Sequence, residues 1–307
     1  MLYPLKFKKH LVKKVWGGRE FKTILNFDID DDSLYGESWE VSAHPNGMGF
    51  VINGNLKGKS LEEIFNEYKE ELIGNLNFDK FPLLIKYLDV NDRLSIQVHP
   101  NNEIALKKYN EFGKSECWYI IYASEDARLV LGMKEGITKE QFIENAKNNK
   151  FDKMFEEYNI RTGQFINVAP GLVHASVKGK VILAEIQQNS DITYRIYDFN
   201  RFENGKLRPL HINDAADAID FNLKPEIIDT NNMNGRIIKT DYYTLDKLII
   251  KDEKNDISTK SFIVYSILEG NGYIGNEKVK YGETILIPIN YKVKLKGNMV
   301  LLRTTLE

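Results

Sequence analysis

Short apolar runs that alternate with polar residues dominate this chain, and only a few stretches carry the spacing of an amphipathic helix. Ser60-Leu61-Glu62-Glu63 reads as a capping box, and Leu61, Ile64, Phe65, Tyr68 and Leu72 follow at helical spacing as far as Gly74. Thr138-Lys139-Glu140-Gln141 opens a second helix with Phe142, Ile143 and Ala146 on one side, and residues 151–158 are expected to add another turn or two. Residues 101–109, just after Pro100, read as a third. Strands are expected at 37–43, 83–88, 94–98, 118–122, 129–131, 164–168 and 181–187. Strands at this density with a few inserted helices predict a mainly β sandwich or barrel.

Residues 222–235 (NLKPEIIDTNNMNG) are poor in pattern and rich in Asn, Asp and Pro, so they read as a linker. The expected units are residues 1–225 and 236–307, the second a further all-β block. The two share a phrase. Gly163 precedes QFINVAPGLVH and Gly282 precedes ETILIPINY, each a glycine turn, a short apolar strand and a proline. Such a repeat suggests a duplicated β module. The first copy ends in His174, whereas the second has no His, Cys, Asp or Glu at the matching place. Catalysis is therefore expected in the first.

Composition narrows the class of partner. With 307 residues the chain is long enough to bury a core without a staple. Lys+Arg 42 against Asp+Glu 44 gives a net charge of -2, which provides no basic field for nucleic acid or anionic lipid. The single cysteine, Cys117, fits a reducing compartment. The N-terminal stretch alternates apolar and basic residues unlike a secretory signal, and no window reaches the roughly 20 apolar residues of a membrane span. The expectation is a cytoplasmic protein with no nucleic-acid or membrane partner.

The polar residues are more specific. Along DRLSIQVHP (92–100), strand alternation puts Ser95, Gln97 and His99 on one face and Leu94, Ile96 and Val98 on the other. The second set needs cover, expected from the helix at 61–72, the helical region at 139–158 or the second barrel, with helices favoured. Glu116 precedes the strand at 118–122, and His174 follows the Pro170-Gly171 turn. Gln97, His99, Glu116 and His174 together offer two imidazoles, a carboxylate and a neutral oxygen, a set that suits Zn²⁺ or another borderline first-row ion. His10 and His211 lack comparable partners, and His44 is intermediate.

This spacing resembles the cupin pattern, with Gln97 where most cupins place a first histidine and Pro170 one place late. Together with IQVHP, Lys114-Ser115-Glu116, PGLVHA, EIQQNSDITYRIYDFNR, VWGG, YGESWEVS and FPLLIKYLD, it is similar to the type I mannose-6-phosphate isomerases of the short bacterial kind. The resemblance covers roughly residues 16–216, and the C-terminal block resembles the family's metal-free cupin loosely. It implies two cupin (jelly-roll) barrels with helices inserted in the first. It also implies one Zn²⁺ per chain on Gln97, His99, Glu116 and His174, and a small sugar phosphate as substrate.

The resemblance further implies interconversion of mannose 6-phosphate and fructose 6-phosphate through an enediolate. Arg195 matches the family's active-site arginine. A guanidinium stays protonated, so it would clamp an oxyanion or phosphate and not act as a base. Lys114, near a divalent ion and partly desolvated, is expected to lose its proton easily and shuttle it, or to touch phosphate. Lys86 and Glu185 are expected to line the site. Two other readings stay open: a cupin that binds a sugar or metal without catalysis, and a non-heme iron dioxygenase.

Overall fold

The computed structural model describes residues 2–203 and 205–306. Its N-terminal unit is built from two antiparallel sheets. One has seven strands in the order Glu226–Asp229, Gln164–Val168, Glu116–Ala123, Val181–Gln188, Leu83–Val90, Tyr35–Val41, His10–Gly18. The other has five, in the order Tyr194–Tyr197, Ile96–Val98, His174–Lys178, Arg128–Met133, Phe155–Asn159. Directly paired residues share a face of a sheet. Lys86, Glu185 and Trp118 are paired in one row of the larger sheet, and Gln97 pairs with His174 and Arg195 in the smaller one.

The opposite face of the larger sheet carries Ile85, Tyr87, Cys117, Tyr119, Ala184 and Ile186. They share a buried core with Leu245, Phe262, Val264, Leu286 and Leu302 of the C-terminal unit. That unit is a single seven-stranded sheet, Leu5–Lys6, Thr284–Ile287, Ile263–Ile274, Val293–Thr305, Thr244–Asp256, Gly235–Lys239, with Glu277–Lys280 beside Ile263–Ile274. Its second face encloses a core of its own, including Ile250, Ile267, Ile285, Leu295 and Leu301. A core drawn from one sheet alone requires that sheet to curl around itself. The fold is thus mainly β, and among the described residues every helix lies between Glu20 and Ala218.

The two glycine phrases are structurally alike. Gly163 (φ 84°) and Gly282 (φ 78°) take left-handed turns, and their N–H groups donate to Ile120 and Ile267 in the neighbouring strand.

Three expectations need correction. Residues 155–159 form a strand paired with Arg128–Met133, because the helix Lys139–Lys147 ends at Asn148 and Asn149 takes φ 52°. The helix expected at 61–72 breaks at Tyr68 (φ −125°) into Leu61–Glu67 and Lys69–Ile73. The segment read as a linker contains Glu226–Asp229, a strand on the edge of the larger sheet of the N-terminal unit, so it does not run free between units.

Strand cover is helical, as favoured: Ile96 and Val98 are buried in a cluster with Phe142 and Ala146 of the helix Lys139–Lys147 and with Ala215 and Ala216, while the helices at 61–73 belong to the other core. The helix Ile212–Ala218, unforeseen from the pattern, packs on Ile96–Val98 and Tyr194–Tyr197. Leu94 precedes the regular strand and lines the cavity described below, so the alternation holds only from Ser95 onward.

Candidate active site

Strand ends from both sheets converge inside the N-terminal unit. His99 follows Ile96–Val98 directly, and its carbonyl accepts from Gly171 N–H at 3.0 Å, which ties it to the turn that leads into His174. His174 opens its strand, and Glu116 opens a strand of the facing sheet. All three side chains are buried, and their ligand atoms lie within 4.8 Å of one another. His99 Nε2 stands 3.5 Å from Glu116 Oε2, and His174 Nε2 stands 3.4 Å from Glu116 Oε1.

Tautomers follow from the hydrogen bonds. His99 Nδ1 donates to Ile192 O at 2.8 Å and His174 Nδ1 to Leu172 O at 2.9 Å, which leaves each Nε2 as a lone pair aimed at the carboxylate. Burial keeps both rings neutral. It lowers His174 to about 4, and with the Lys114 ammonium it lowers His99 well below the usual value. Both Glu116 oxygens are buried; Lys114 Nζ reaches Oε2, whereas Oε1 meets no donor. A buried carboxylate with one oxygen unsatisfied, facing two imidazole lone pairs, is the donor set that a divalent first-row ion takes. The residues fit a metal.

Gln97 sits beside this group with Nε2 3.2 Å from His174 Nε2. Ligation through its oxygen requires the amide to be turned over.

A row of charges continues from the cluster. Lys114 Nζ lies 2.8 Å from Glu116 Oε2, 3.3 Å from His99 Nε2 and 4.0 Å from Glu185 Oε1. Without an ion, burial pulls its pKa down, but Glu116 and Glu185 outweigh that and raise it. Lys86 Nζ is 3.4 Å from Glu185 Oε1 and sits 4.5 Å from the Trp39 ring centroid. Burial first, then Glu116, raises the proton affinity of Glu185. Against the upward pull of burial, Lys86 and Lys14 hold Glu37 down at about 2.

These groups open on a cavity of about 280 Å³ lined by Gln97, Lys114, Lys86 and Glu185 on one side and by Arg195, Arg208 and His211 on another. Arg195 N–H donates to His211 Nδ1 at 3.0 Å, His211 N–H returns to Arg195 O at 2.7 Å, and an Arg195 guanidinium N–H donates to Pro209 O at 3.1 Å. Arg208 forks onto the buried Asp198 at 2.8 and 2.9 Å.

The structure therefore lines one cavity with Gln97, Lys114, Lys86, Glu185 and Arg195, and Gln97 and Lys114 join it to the buried His99, Glu116 and His174. It corrects the dismissal of His211, whose partner is the backbone of Arg195. Arg208 was missed as well. The phrase RPLH (208–211) has no strand alternation from which either could be read.

Comparison with known proteins adds a lineage. Residues 4–115 match the model of the phosphomannose isomerase type I catalytic domain. The chain is 36% identical to mannose-6-phosphate isomerase of Streptococcus mutans over 95% of its own length and 94% of that protein's. It is 35% identical to mannose-6-phosphate isomerase ManA of Bacillus subtilis, covering 96% of each. The crystal structure of the mannose 6-phosphate isomerase from Bacillus subtilis superposes with a TM-score of 0.89 at 31% identity over 99% of both chains. A putative mannosephosphate isomerase from Archaeoglobus fulgidus shares the fold, with a TM-score of 0.79 at 19% identity over 98% of this chain and 97% of that one. Identity at this level along nearly the whole length, on the same fold, shows that the chain belongs to the type I mannose-6-phosphate isomerase family.

Proposed function

We propose that the protein interconverts mannose 6-phosphate and fructose 6-phosphate through an enediolate, with zinc held by His99, Glu116, His174 and a turned Gln97. The observation that carries this reading is the buried His99–Glu116–His174 group, with Glu116 Oε1 unsatisfied, next to a cavity lined by its neighbours Gln97 and Lys114 and by Lys86, Arg195 and Arg208. A bound divalent ion supplies Lewis-acid polarisation of the sugar oxygen beside the C–H bond that breaks.

The remaining work falls to the chain. A proton leaves C2 of the aldose and returns at C1, while the hydroxyl proton moves in the same sense, from the oxygen on C2 to the oxygen on C1. Glu185, with its raised proton affinity, has the property required of a group that takes and returns a proton near neutral pH. Lys114, held as an ammonium, donates toward the oxygens where charge develops. Lys86 keeps the Glu185 carboxylate facing the cavity. Arg195 offers a planar fork to an oxyanion or phosphate.

The metal-binding unit is placed within residues 1–225, because residues 236–307 contain neither His nor Cys. Among the described residues no helix is long and apolar enough to cross a membrane, and the free buried Cys117 supports the cytoplasm as the place of action.

A coupled assay for fructose 6-phosphate formation, with metal analysis of the same sample, tests the proposal. Chelator-sensitive turnover and about one zinc per chain are expected. Sugar binding without turnover would replace the enzyme reading with a sensor, and an iron signal with oxygen consumption would replace it with a dioxygenase.

A further inference from the structure

Trp118 neither touches the cavity nor offers a metal ligand, yet it contacts two groups on which the proposed reaction depends. It is fully buried on the inner face of the larger sheet, paired in register with Glu185. Tryptophan has a single side-chain donor. Here that indole N–H goes to Glu185 Oε2 at 3.1 Å, which leaves Oε1 turned to Lys86 at 3.4 Å and Lys114 at 4.0 Å. The ring edge meets the His174 imidazole, with centroids 5.2 Å apart at 87°. On the other side of the same row, Trp39 lies under the Lys86 ammonium. The Lys86–Glu185 pair is thus clamped between two indoles, and only Trp118 contributes a hydrogen bond to the carboxylate.

We infer that Trp118 is a positioning residue for the isomerisation: its N–H fixes which oxygen of Glu185 faces the reacting sugar. This rests on the proposed function above. Without the donor, Oε2 is a buried acceptor with no partner, and the carboxylate rotates to place both oxygens against Lys86 and Lys114. Lys114 is then drawn away from Glu116, and the proton-handling group no longer points into the cavity. A tryptophan that only filled the core would affect stability and leave rate per folded, metal-loaded molecule unchanged.

The test uses Trp118→Phe together with site-specific replacement of Trp118 by benzothienylalanine, which keeps the indole shape and lacks the N–H. Both are compared with wild type for metal content, KM and kcat on mannose 6-phosphate. Metal content unchanged, KM within about twofold and kcat lowered roughly ten- to a hundredfold are expected, the cost of losing a hydrogen bond to a charged group. The contact itself is read without turnover: the Trp118 indole N–H proton resonance of the metal-free protein should move on Glu185→Gln.

Full kcat in the folded, metal-loaded benzothienylalanine protein overturns the inference, as does an indole resonance indifferent to Glu185→Gln. Wild-type protein without turnover overturns the functional reading and this role with it. Wild-type turnover with unaffected variants overturns the role alone.

Discussion

At the scale of single residues, neutral histidine is both a metal ligand and a source of pH dependence. His174 falls from 6.5 to about 4 on folding because burial opposes its charged form. Between those values the unfolded chain binds more protons, so stability of the metal-free protein rises with pH through the window. It is complete above about 6.5 and lost as pH falls toward 4, worth about 3 kcal/mol. Urea titrations at pH 7.5 and 4.5 should show this difference narrowing in His174→Asn.

Replacing His99 or His174 by Ala should abolish stoichiometric metal in a protein that still folds, since the core does not depend on the ion. Full metal occupancy in both variants, measured by elemental analysis, would refute the assignment. Arg195→Lys should keep metal and lose about 10² to 10³ of turnover, because an ammonium cannot span two oxygens as a guanidinium does. Near-normal kcat would remove Arg195 from the site. The proximity of His99 and His174 was legible because strand alternation and a Pro-Gly turn fix their directions. Arg208 and His211 were not, because Asp198 and the backbone of Arg195 hold them, and those are long-range contacts.

Among the elements, helix starts were read most directly. Both capping boxes form, with Ser60 accepting from Glu63 N–H at 3.1 Å and Thr138 accepting from Gln141 N–H at 3.3 Å. Thr138→Ala should cost about 1 kcal/mol in urea unfolding, with turnover unchanged. The helix Ile212–Ala218 was missed because INDAADA offers small residues where an apolar stripe was sought. Close approach to the strands beneath explains them: Ala215 is fully buried and Ala216 is 2% exposed. Residues 155–159 misled for the opposite reason. Phe155 and Tyr158 fit a helical spacing locally, but pairing with Arg128–Met133 decides the outcome.

For the whole molecule, the larger sheet of the N-terminal unit serves two cores, polar chemistry on one face and a dry seam with the C-terminal unit on the other. The sequence pattern suggested two separable units, since a sheet buried on both faces looks the same whichever unit covers it. With one sheet shared, the two should melt together. Calorimetry is expected to give one transition whose calorimetric and van't Hoff enthalpies agree, and two resolved transitions would contradict it.

The seam also has a consequence for how the protein is made. Among the described residues, Leu5–Lys6 finds its only strand partner in Thr284–Ile287, about 280 residues downstream. At a ribosomal pace of roughly 5 to 20 residues per second, the first strand waits about a quarter of a minute to a minute for that partner. Once Val181–Gln188 has emerged, the outer face of the larger sheet, Ile85, Tyr87, Tyr119 and Ile186 included, still lacks the C-terminal residues of its core. The wait ends only with translation of the last strands, so the N-terminal half emerges first and is sheltered last.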